Sequence, residues 1–286
     1  MNRAHICNRG RDPRRRFTGA ILLFALLCVG SSIYAQQPDP SVKSQMARLA
    51  AGDEEARLDA VARLADSFAS SVGRPVDPEL VPALIRSLQS DSSAVIRALA
   101  ARALGVSSDS RVIAPLTGAL AKEREIAVKK AILYALARYP FNSAAPALTS
   151  TLPLLPLLQD KKPEIRAAAA FALAEIRDPA AAPQLLAFLQ KRRKDEDAFA
   201  RAHAARALGL LAYREALDPL AASLSKDHSQ EVRREAAGAI GLLASESDAR
   251  AIEALSNAVK SEDPYLSRFA ENALALIRLR SRPAPR

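Results

Sequence analysis

One pattern recurs six times along this chain with the same internal spacing, and it determines what the chain can fold into. A small residue, called here the anchor, marks each copy: Ala65, Gly105, Ala137, Ala174, Gly209 and Gly241. A basic residue stands eight positions before every anchor: Arg57, Arg97, Lys129, Arg166, Arg201 and Arg233. The intervals between anchors are 40, 32, 37, 35 and 32 residues. Repetition at this period indicates an array of stacked units rather than one globular domain.

Two further positions recur with the anchors. A Leu or Ile directly precedes each of the six anchors, and an acidic residue lies fourteen positions before five of them: Asp91, Glu123, Asp160, Asp195 and Asp227. A seventh, divergent copy surrounds Ala275, with Ser267 at the basic position and Asp263 as its acid. Divergence of this last copy is expected of a terminal cap, whose outer side meets solvent.

Each unit has the periodicity of a helical hairpin. In the segment from Asp91 to Gly105 the apolar residues follow helical spacing, and a shorter amphipathic segment begins at Asp109. Hydrophobic residues make up 49% of the chain but aromatic residues only 5%, so alanine supplies much of the apolar content. This composition favours closely packed helices and predicts an all-α protein. Pro153 and Pro156 interrupt one leucine-rich segment and are expected to bend or split its helix.

The repeated residues resemble those of HEAT repeats, in particular the short type known from phycobilin-lyase-like (PBS lyase) proteins. The resemblance is carried by an acidic turn, Val or Ile, Arg, paired alanines and Ala-Leu-Gly, followed by a proline nine or ten residues later. These prolines are Pro115, Pro146, Pro183 and Pro219. The resemblance implies a right-handed α-solenoid of about seven HEAT-like helical hairpins over residues 50–280. Residues 36–49 are then a linker and a first capping helix, and residues 281–286 a basic, disordered tail.

The first 35 residues have the order of a signal peptide. Six arginines precede an apolar run over residues 20–30, and small residues follow before Gln36. The run is too short for a comfortable membrane span, which needs about 20 apolar residues, so no stable span is expected after cleavage at Ala35. An ordinary secretory signal is preferred, while Arg14, Arg15, Arg16 and Phe17 keep the twin-arginine route open. The predicted location is periplasmic or secreted.

Removal of this segment changes the chemistry that the chain can offer. Because six arginines and Asp12 leave with it, the formal net charge falls from +10 to +5, which weakens a nucleic-acid interpretation. Both cysteines, Cys7 and Cys28, also leave, which excludes disulfides and thiolate metal sites in the mature chain. His203 and His228 are then the remaining histidines, and no catalytic motif accompanies them. We expect no enzyme, no cofactor and no metal.

The repeated charges predict a structural ladder along the stack. Its expected members are the bases Arg97, Lys129, Arg166, Arg201 and Arg233 and the acids Asp91, Glu123, Asp160, Asp195 and Asp227. Each base is expected to reach an acidic turn in its own or the adjacent unit, because the acid-to-base offset of six is itself repeated. The alternative is a row of arginines that binds an anionic ligand.

A candidate partner-binding strip lies on the helices that carry the anchors. The position three before an anchor is expected to face away from the core, and one turn earlier widens the same strip. The candidate residues are Arg102, Lys130, Tyr134, Phe171, Phe199, Arg206 and Arg234. Tyr, Phe and Arg are types found at protein-binding hot spots. The alternative is that Tyr134 and Phe171 only pack against adjacent helices.

These observations predict an exported, monomeric HEAT-repeat scaffold that binds a protein partner without catalysis. The resemblance also leaves open a phycobilin-lyase-like enzyme that attaches a chromophore, although an export signal argues against it. Nucleic-acid binding along an arginine-lined groove is the third hypothesis.

Overall fold

The computed structural model describes residues 42–70, 79–107, 109–138, 152–191 and 197–281. Within these ranges the chain forms α-helices and short 3-10 helices, and no β-strand. The α-helices, in chain order, are α1 Val42–Ala51, α2 Glu54–Ser70, α3 Leu80–Ser90, α4 Ala94–Leu104, α5 Ile113–Lys122, α6 Ile126–Arg138, α7 Pro163–Ile176, α8 Ala182–Gln190, α9 Ala198–Leu210, α10 Leu217–Lys226, α11 Gln230–Leu243, α12 Ala249–Ala258 and α13 Pro264–Ser281.

The helices alternate between two layers. The anchor layer consists of α2, α4, α6, α7, α9, α11 and α13, each of which contains its anchor or ends beside it, and consecutive members pack directly on one another. The companion layer consists of α1, α3, α5, α8, α10 and α12, and each of these packs on the anchor-layer helix that follows it. The result is an all-α solenoid with seven helical hairpins in the described part of the chain, as the repeat spacing predicted.

The interface between the layers forms the core. The Leu or Ile that precedes an anchor is fully buried in α4, α6, α7, α9 and α11. Full burial of such a side chain stabilises the fold by about 1.5–3 kcal/mol. The alanines predicted to allow close packing are buried as well, among them Ala100, Ala169 and Ala205.

The small anchor residues lie where neighbouring helices of the anchor layer approach most closely. A Cβ atom added to Gly105 would lie 2.5 Å from the Cα atom of Ala135. At Gly209 and Gly241 the corresponding distances, to Ala239 and Ala273, are 2.7 and 2.8 Å. These contacts are with backbone atoms, which cannot rotate aside, so the close packing of helices limits the anchor to a very small side chain.

The fourth hairpin departs from the others in its companion element. In its described part this element is a five-residue 3-10 helix, Leu155–Gln159, with Pro156 in its first turn. Pro156 lacks the N–H that an α-helix interior requires, which explains the short element where the sequence predicted an interrupted helix.

The ends of the array bear on the predicted domain boundaries. The first helix, α1, continues to Ala51, two residues past the predicted boundary at 49. The last helix, α13, ends at Ser281. The predicted signal peptide at residues 1–35, the linker up to residue 41 and the tail from residue 282 lie outside the described residues.

Candidate functional site

Five of the six basic residues of the repeats form ion pairs with acids of the following hairpin, not of their own. Guanidinium or ammonium nitrogens lie 2.8–3.6 Å from carboxylate oxygens in four of these pairs, and Arg166 pairs with Asp197 in the same way. The four pairs are Arg57 with Asp91, Arg97 with Glu123, Lys129 with Asp160, and Arg201 with Asp227. The pairs, called here the charge ladder, therefore join successive units of the stack.

Arginines of the ladder also bind their own turn. Arg97 Nη1 donates to the carbonyl oxygens of Asp91 and Ser92, at 2.9 and 3.1 Å. Arg166 Nη1 donates in the same manner to the carbonyl oxygens of Asp160 and Lys161, at 2.8 and 3.1 Å. The guanidinium nitrogens of these arginines bind a carboxylate of the next hairpin and carbonyl oxygens of their own turn, so they are not available to an anionic ligand. The geometry therefore favours the structural role over the ligand-binding alternative.

Two positions of the ladder differ from the sequence prediction. The acid that pairs with Arg166 is Asp197, while the predicted Asp195 lies outside the described residues. At the last step Arg234, not Arg233, pairs with Asp263, at 3.0 Å. Asp197 and Asp263 both directly precede a helix, two positions later in register than the other acids. Arg233 instead donates to backbone carbonyl oxygens of its own turn.

The ladder lowers the pKa of the Glu123, Asp227 and Asp263 carboxyl groups. Two hydrogen bonds from Arg97 lower the pKa of Glu123 to about 2, against the opposing effect of burial. At Asp227 burial disfavours the charged form, but the hydrogen bonds from Arg201 still hold the pKa below its ordinary value. The ladder therefore stabilises the fold while these carboxylates stay ionised.

We expect acid to remove this stabilisation. The pKa of Glu123 is lower in the folded chain than in the unfolded chain, so its contribution is complete above about pH 4.5 and is lost as the pH falls toward 2. After a discount for solvent screening the loss should be about 2 kcal/mol. Urea unfolding measured between pH 7 and 2 tests this: Glu123→Gln should flatten the pH dependence, and the exposed-site control Glu253→Gln should not. Equal curves for Glu123→Gln and the unchanged chain would contradict it.

The side of the anchor layer that faces away from the companion helices is called here the open face. With the sole exception of Leu152, every large hydrophobic side chain that the described residues expose belongs to an anchor-layer helix or directly follows one. Positions ten, six and three before an anchor and one after it form one helical stripe. These positions hold exposed Val95, Val106, Tyr134, Phe199, Leu242, Tyr265, Phe269 and Leu276.

Ring and charge contacts connect the open face from helix to helix. The rings of Tyr134 and Phe171 meet edge to face with centroids 5.5 Å apart, and Phe171 meets His203 similarly at 5.2 Å. Arg206 pairs with Glu175 at 3.2 Å across α9 and α7. The predicted packing of Tyr134 and Phe171 against their neighbours is therefore present, and it leaves 41% of Tyr134 exposed.

The other residues predicted for the strip have different environments. Phe199 is 68% exposed, Arg102 is exposed and Lys130 is half-buried. Arg102 and Lys130 form no ion pair with any residue that the structure describes. Arg234 differs from the prediction, because its guanidinium pairs with Asp263 and lies 4.9 Å from the centroid of the Tyr265 ring. It therefore belongs to the ladder, at the border of the open face.

Sequence reasoning missed the part of this face that α11 and α13 provide. Tyr265 is 65% exposed and Phe269 is 40% exposed, both on α13, and Leu242 is exposed on α11. The signal that could have found them is the same register: positions ten and six before an anchor, and one after it, share a helix face with position three.

Titratable groups on the open face are shifted by burial. Burial and the nearby Arg206 lower the pKa of His203, so the imidazole is neutral at pH 7. Within the described ranges no three potential metal-ligating side chains lie together, and no helix there is long and apolar enough to cross a membrane.

Comparison with known families identifies the repeat. The model of HEAT repeats matches residues 81–153, 127–196, 151–241 and 187–275. A model of the HEAT-like repeat matches residues 54–105. The chain belongs to the HEAT-repeat family. No match was found among curated protein sequences.

Solved structures of other proteins are similar in fold to this HEAT-repeat protein. A Kap121p mutant is 17% identical with a TM-score of 0.58, over 82% of this chain and 29% of that one. The YibA protein of E. coli is also 17% identical, with a TM-score of 0.51 over 82% and 92% of the two chains. The CpcE–CpcF complex of phycocyanin lyase from Nostoc sp. PCC 7120 is 20% identical with a TM-score of 0.48, over 86% and 97%.

Proposed function

We propose that this protein is an exported HEAT-repeat scaffold that binds a protein partner through its open face and carries out no reaction of its own. The observation that carries the proposal is that eight of the eleven exposed large hydrophobic side chains of the described residues lie on that one face. Large exposed apolar patches on soluble proteins mark interaction sites. An exposed side chain such as Phe199 gains free energy when a partner covers it.

The composition of the face fits a protein ligand. Tyr134, Phe171 and Arg206 are of the types that dominate binding hot spots, and contacts with adjacent helices hold them in place. Such preorganised side chains lose little conformational entropy on binding. A repeat array also presents its side chains over several units, which suits an extended protein surface or segment.

Export is the second part of the proposal, and it is supported by the order of residues at the N-terminus. Arginines, an apolar run over residues 20–30 and small residues before Gln36 succeed one another as in secretory signals. The partner is accordingly placed in the periplasm or cell envelope.

Affinity purification from the native cells tests both parts. The full-length chain with a C-terminal tag is crosslinked mildly, purified and examined by mass spectrometry. We expect the recovered chain to begin at Gln36 and to bring with it a specific envelope protein. The triple variant Tyr134→Ala, Phe171→Ala and Arg206→Ala should recover at least 100-fold less of that partner. Its melting temperature should change by no more than a few degrees.

Other results would overturn the proposal in identifiable ways. Recovery of a chain that retains its first 35 residues would contradict export. Undiminished recovery of the partner by the triple variant would place the binding site elsewhere. Recovery of cytosolic chromoproteins would favour the lyase-like alternative, and recovery of nucleic acid would favour the nucleic-acid alternative.

A further inference from the structure

One glycine on the open face has no packing reason to be a glycine. Gly238 lies in the interior of α11, three positions before the anchor, where α4, α6, α7 and α9 carry Arg102, Tyr134, Phe171 and Arg206. A Cβ atom added there would meet a single neighbour within 4 Å, Cδ1 of Phe269 at 3.9 Å. At Gly209 and Gly241, by contrast, an added Cβ would strike a neighbouring backbone. Glycine inside a helix destabilises it relative to alanine, so Gly238 weakens the fold without relieving a clash.

The missing side chain leaves a notch in the open face, bounded by apolar groups. Phe269 on α13 stands on one side of Gly238, and Leu242 lies one helical turn further along α11. Both side chains are about 40% exposed, so they can be contacted from solvent. The notch offers a place where a side chain of a partner can lie directly against the α11 backbone.

One carboxylate beside the notch has no ion-pair partner among the described residues. Glu235 lies three residues before Gly238 on the same face of α11, half-buried, and it forms no hydrogen bond or ion pair with any residue described by the structure. Other charged side chains nearby are already engaged: Glu231 lies 3.7 Å from Arg234, and the Arg280 guanidinium donates to the carbonyl oxygens of Gly241 and Ala244.

The guanidinium groups of Arg206 and Arg234 are already paired with other acids. Arg206 pairs with Glu175 at 3.2 Å, and Arg234 pairs with Asp263 at 3.0 Å. His203, the other titratable group nearby, is neutral because burial lowers its pKa. Glu235 thus has no ion pair of its own, and burial raises its pKa although the nearby charge of Arg206 acts in the opposite direction.

We propose that the notch over Gly238 binds an arginine or lysine side chain of the partner protein, with its aliphatic stem against Gly238 and Phe269 and its cation beside Glu235. The inference rests on the proposed function, since it assumes that a protein segment covers the open face. A long basic side chain satisfies both features of the site, because its stem is apolar and its end is charged. The exposed Phe269 ring offers the same cation a cation–π contact in addition to the Glu235 carboxylate.

The matched glycine Gly118 provides the control. It lies inside α5, it is exposed, and an added Cβ would meet nothing within 4 Å. Gly118→Leu and Gly238→Leu both replace an open helix-interior glycine, and both should raise the melting temperature. Only Gly238→Leu fills the notch.

The experiment selects peptides from a random 12-residue display library on the mature chain and measures their affinities by calorimetry. We expect the selected peptides to share an arginine or lysine beside apolar residues. Their affinity should fall at least 10-fold in Gly238→Leu and about 5-fold in Glu235→Gln, and stay unchanged in Gly118→Leu. Replacing the shared basic residue of the peptide with norleucine should weaken binding to the unchanged chain much more than binding to Glu235→Gln.

The outcomes separate this inference from the function on which it rests. Peptides that lose affinity in the Tyr134, Phe171 and Arg206 triple variant, but bind Gly238→Leu as they bind the unchanged chain, would uphold the binding face and overturn the notch. Selected peptides that share no basic residue would also overturn the notch. Peptides that bind the triple variant and Gly238→Leu undiminished would overturn both.

Discussion

Replacing Arg166 with alanine should lower the free energy of unfolding by about 3–5 kcal/mol, the usual cost of breaking a buried ion pair. The side chains of Arg166 and Asp197 are 7% and 3% exposed, which makes theirs the most deeply buried pair of the charge ladder among the described residues. The substitution leaves the Asp197 carboxylate buried without its guanidinium. It also removes the donors that bind the carbonyl oxygens of Asp160 and Lys161.

Arg166→Ala should destabilise the helices around it more than the rest of the chain. Arg166 joins α7 and its turn to the start of α9, so its loss should raise hydrogen-exchange rates first in these two helices. Thermal unfolding should show a decrease in melting temperature of roughly 10 °C, given about 2–4 °C for each kcal/mol in a chain of this size.

Two variants give this prediction its controls. Arg111→Ala removes an exposed arginine that pairs with Asp109 within a turn, and it should change stability by less than about 0.5 kcal/mol. The double variant Arg166→Met and Asp197→Leu should recover most of the lost stability, because neither charge then remains buried. An unchanged melting temperature in Arg166→Ala would mean that the pair is solvated.

The ladder shows what repeat spacing can reveal and what it cannot. The recurrent offset between Asp91 and Arg97 identified eight of the twelve participants, because identical units place identical residues at identical sites. It did not reveal that Arg97 pairs with Glu123 of the next hairpin, because linear spacing carries no information on the distance between units. It also failed at Asp197, because the acid there directly precedes its helix and is shifted in register.

The open face was predictable in direction but not in extent. Helical periodicity placed Tyr134 and Phe171 on an outward position, and both take part in the ring contacts of the face. Counting from a single position left out Phe269 and Leu242, which lie on the same stripe. The notch at Gly238 depends on how far the neighbouring side chains lie from the missing one, and that requires coordinates.

Adding one methyl group at Gly105 should destabilise the protein by about 3 kcal/mol, at the upper end of the cost of overpacking. The new Cβ would lie 2.5 Å from Cα and 2.7 Å from Cβ of Ala135. Since the nearest atom belongs to the backbone, only separation of α4 from α6 can relieve the contact. Gly105 has φ −68° and ψ −14°, which any residue adopts, so the requirement for glycine is one of space alone.

Gly118→Ala tests whether the cost comes from the helix contact. At that open position the same methyl group should increase stability by about 0.5–1 kcal/mol, through helix propensity. Opposite signs for one chemical change, measured by urea unfolding, would attribute the effect at Gly105 to helix spacing. A stabilised Gly105→Ala variant would instead mean that α4 and α6 move apart easily.

The compensating change Ala135→Gly should restore part of the stability of Gly105→Ala, because it removes one of the two close contacts and leaves the other. The same reasoning explains why the anchor varies along the chain. Ala137 and Ala174 occupy the anchor position in α6 and α7, so these helices accommodate the methyl group that Gly105 excludes. The anchor is thus glycine where neighbouring helices lie closest and alanine where they leave room for a methyl group. A single methyl group therefore distinguishes the helix spacing of one unit from that of another.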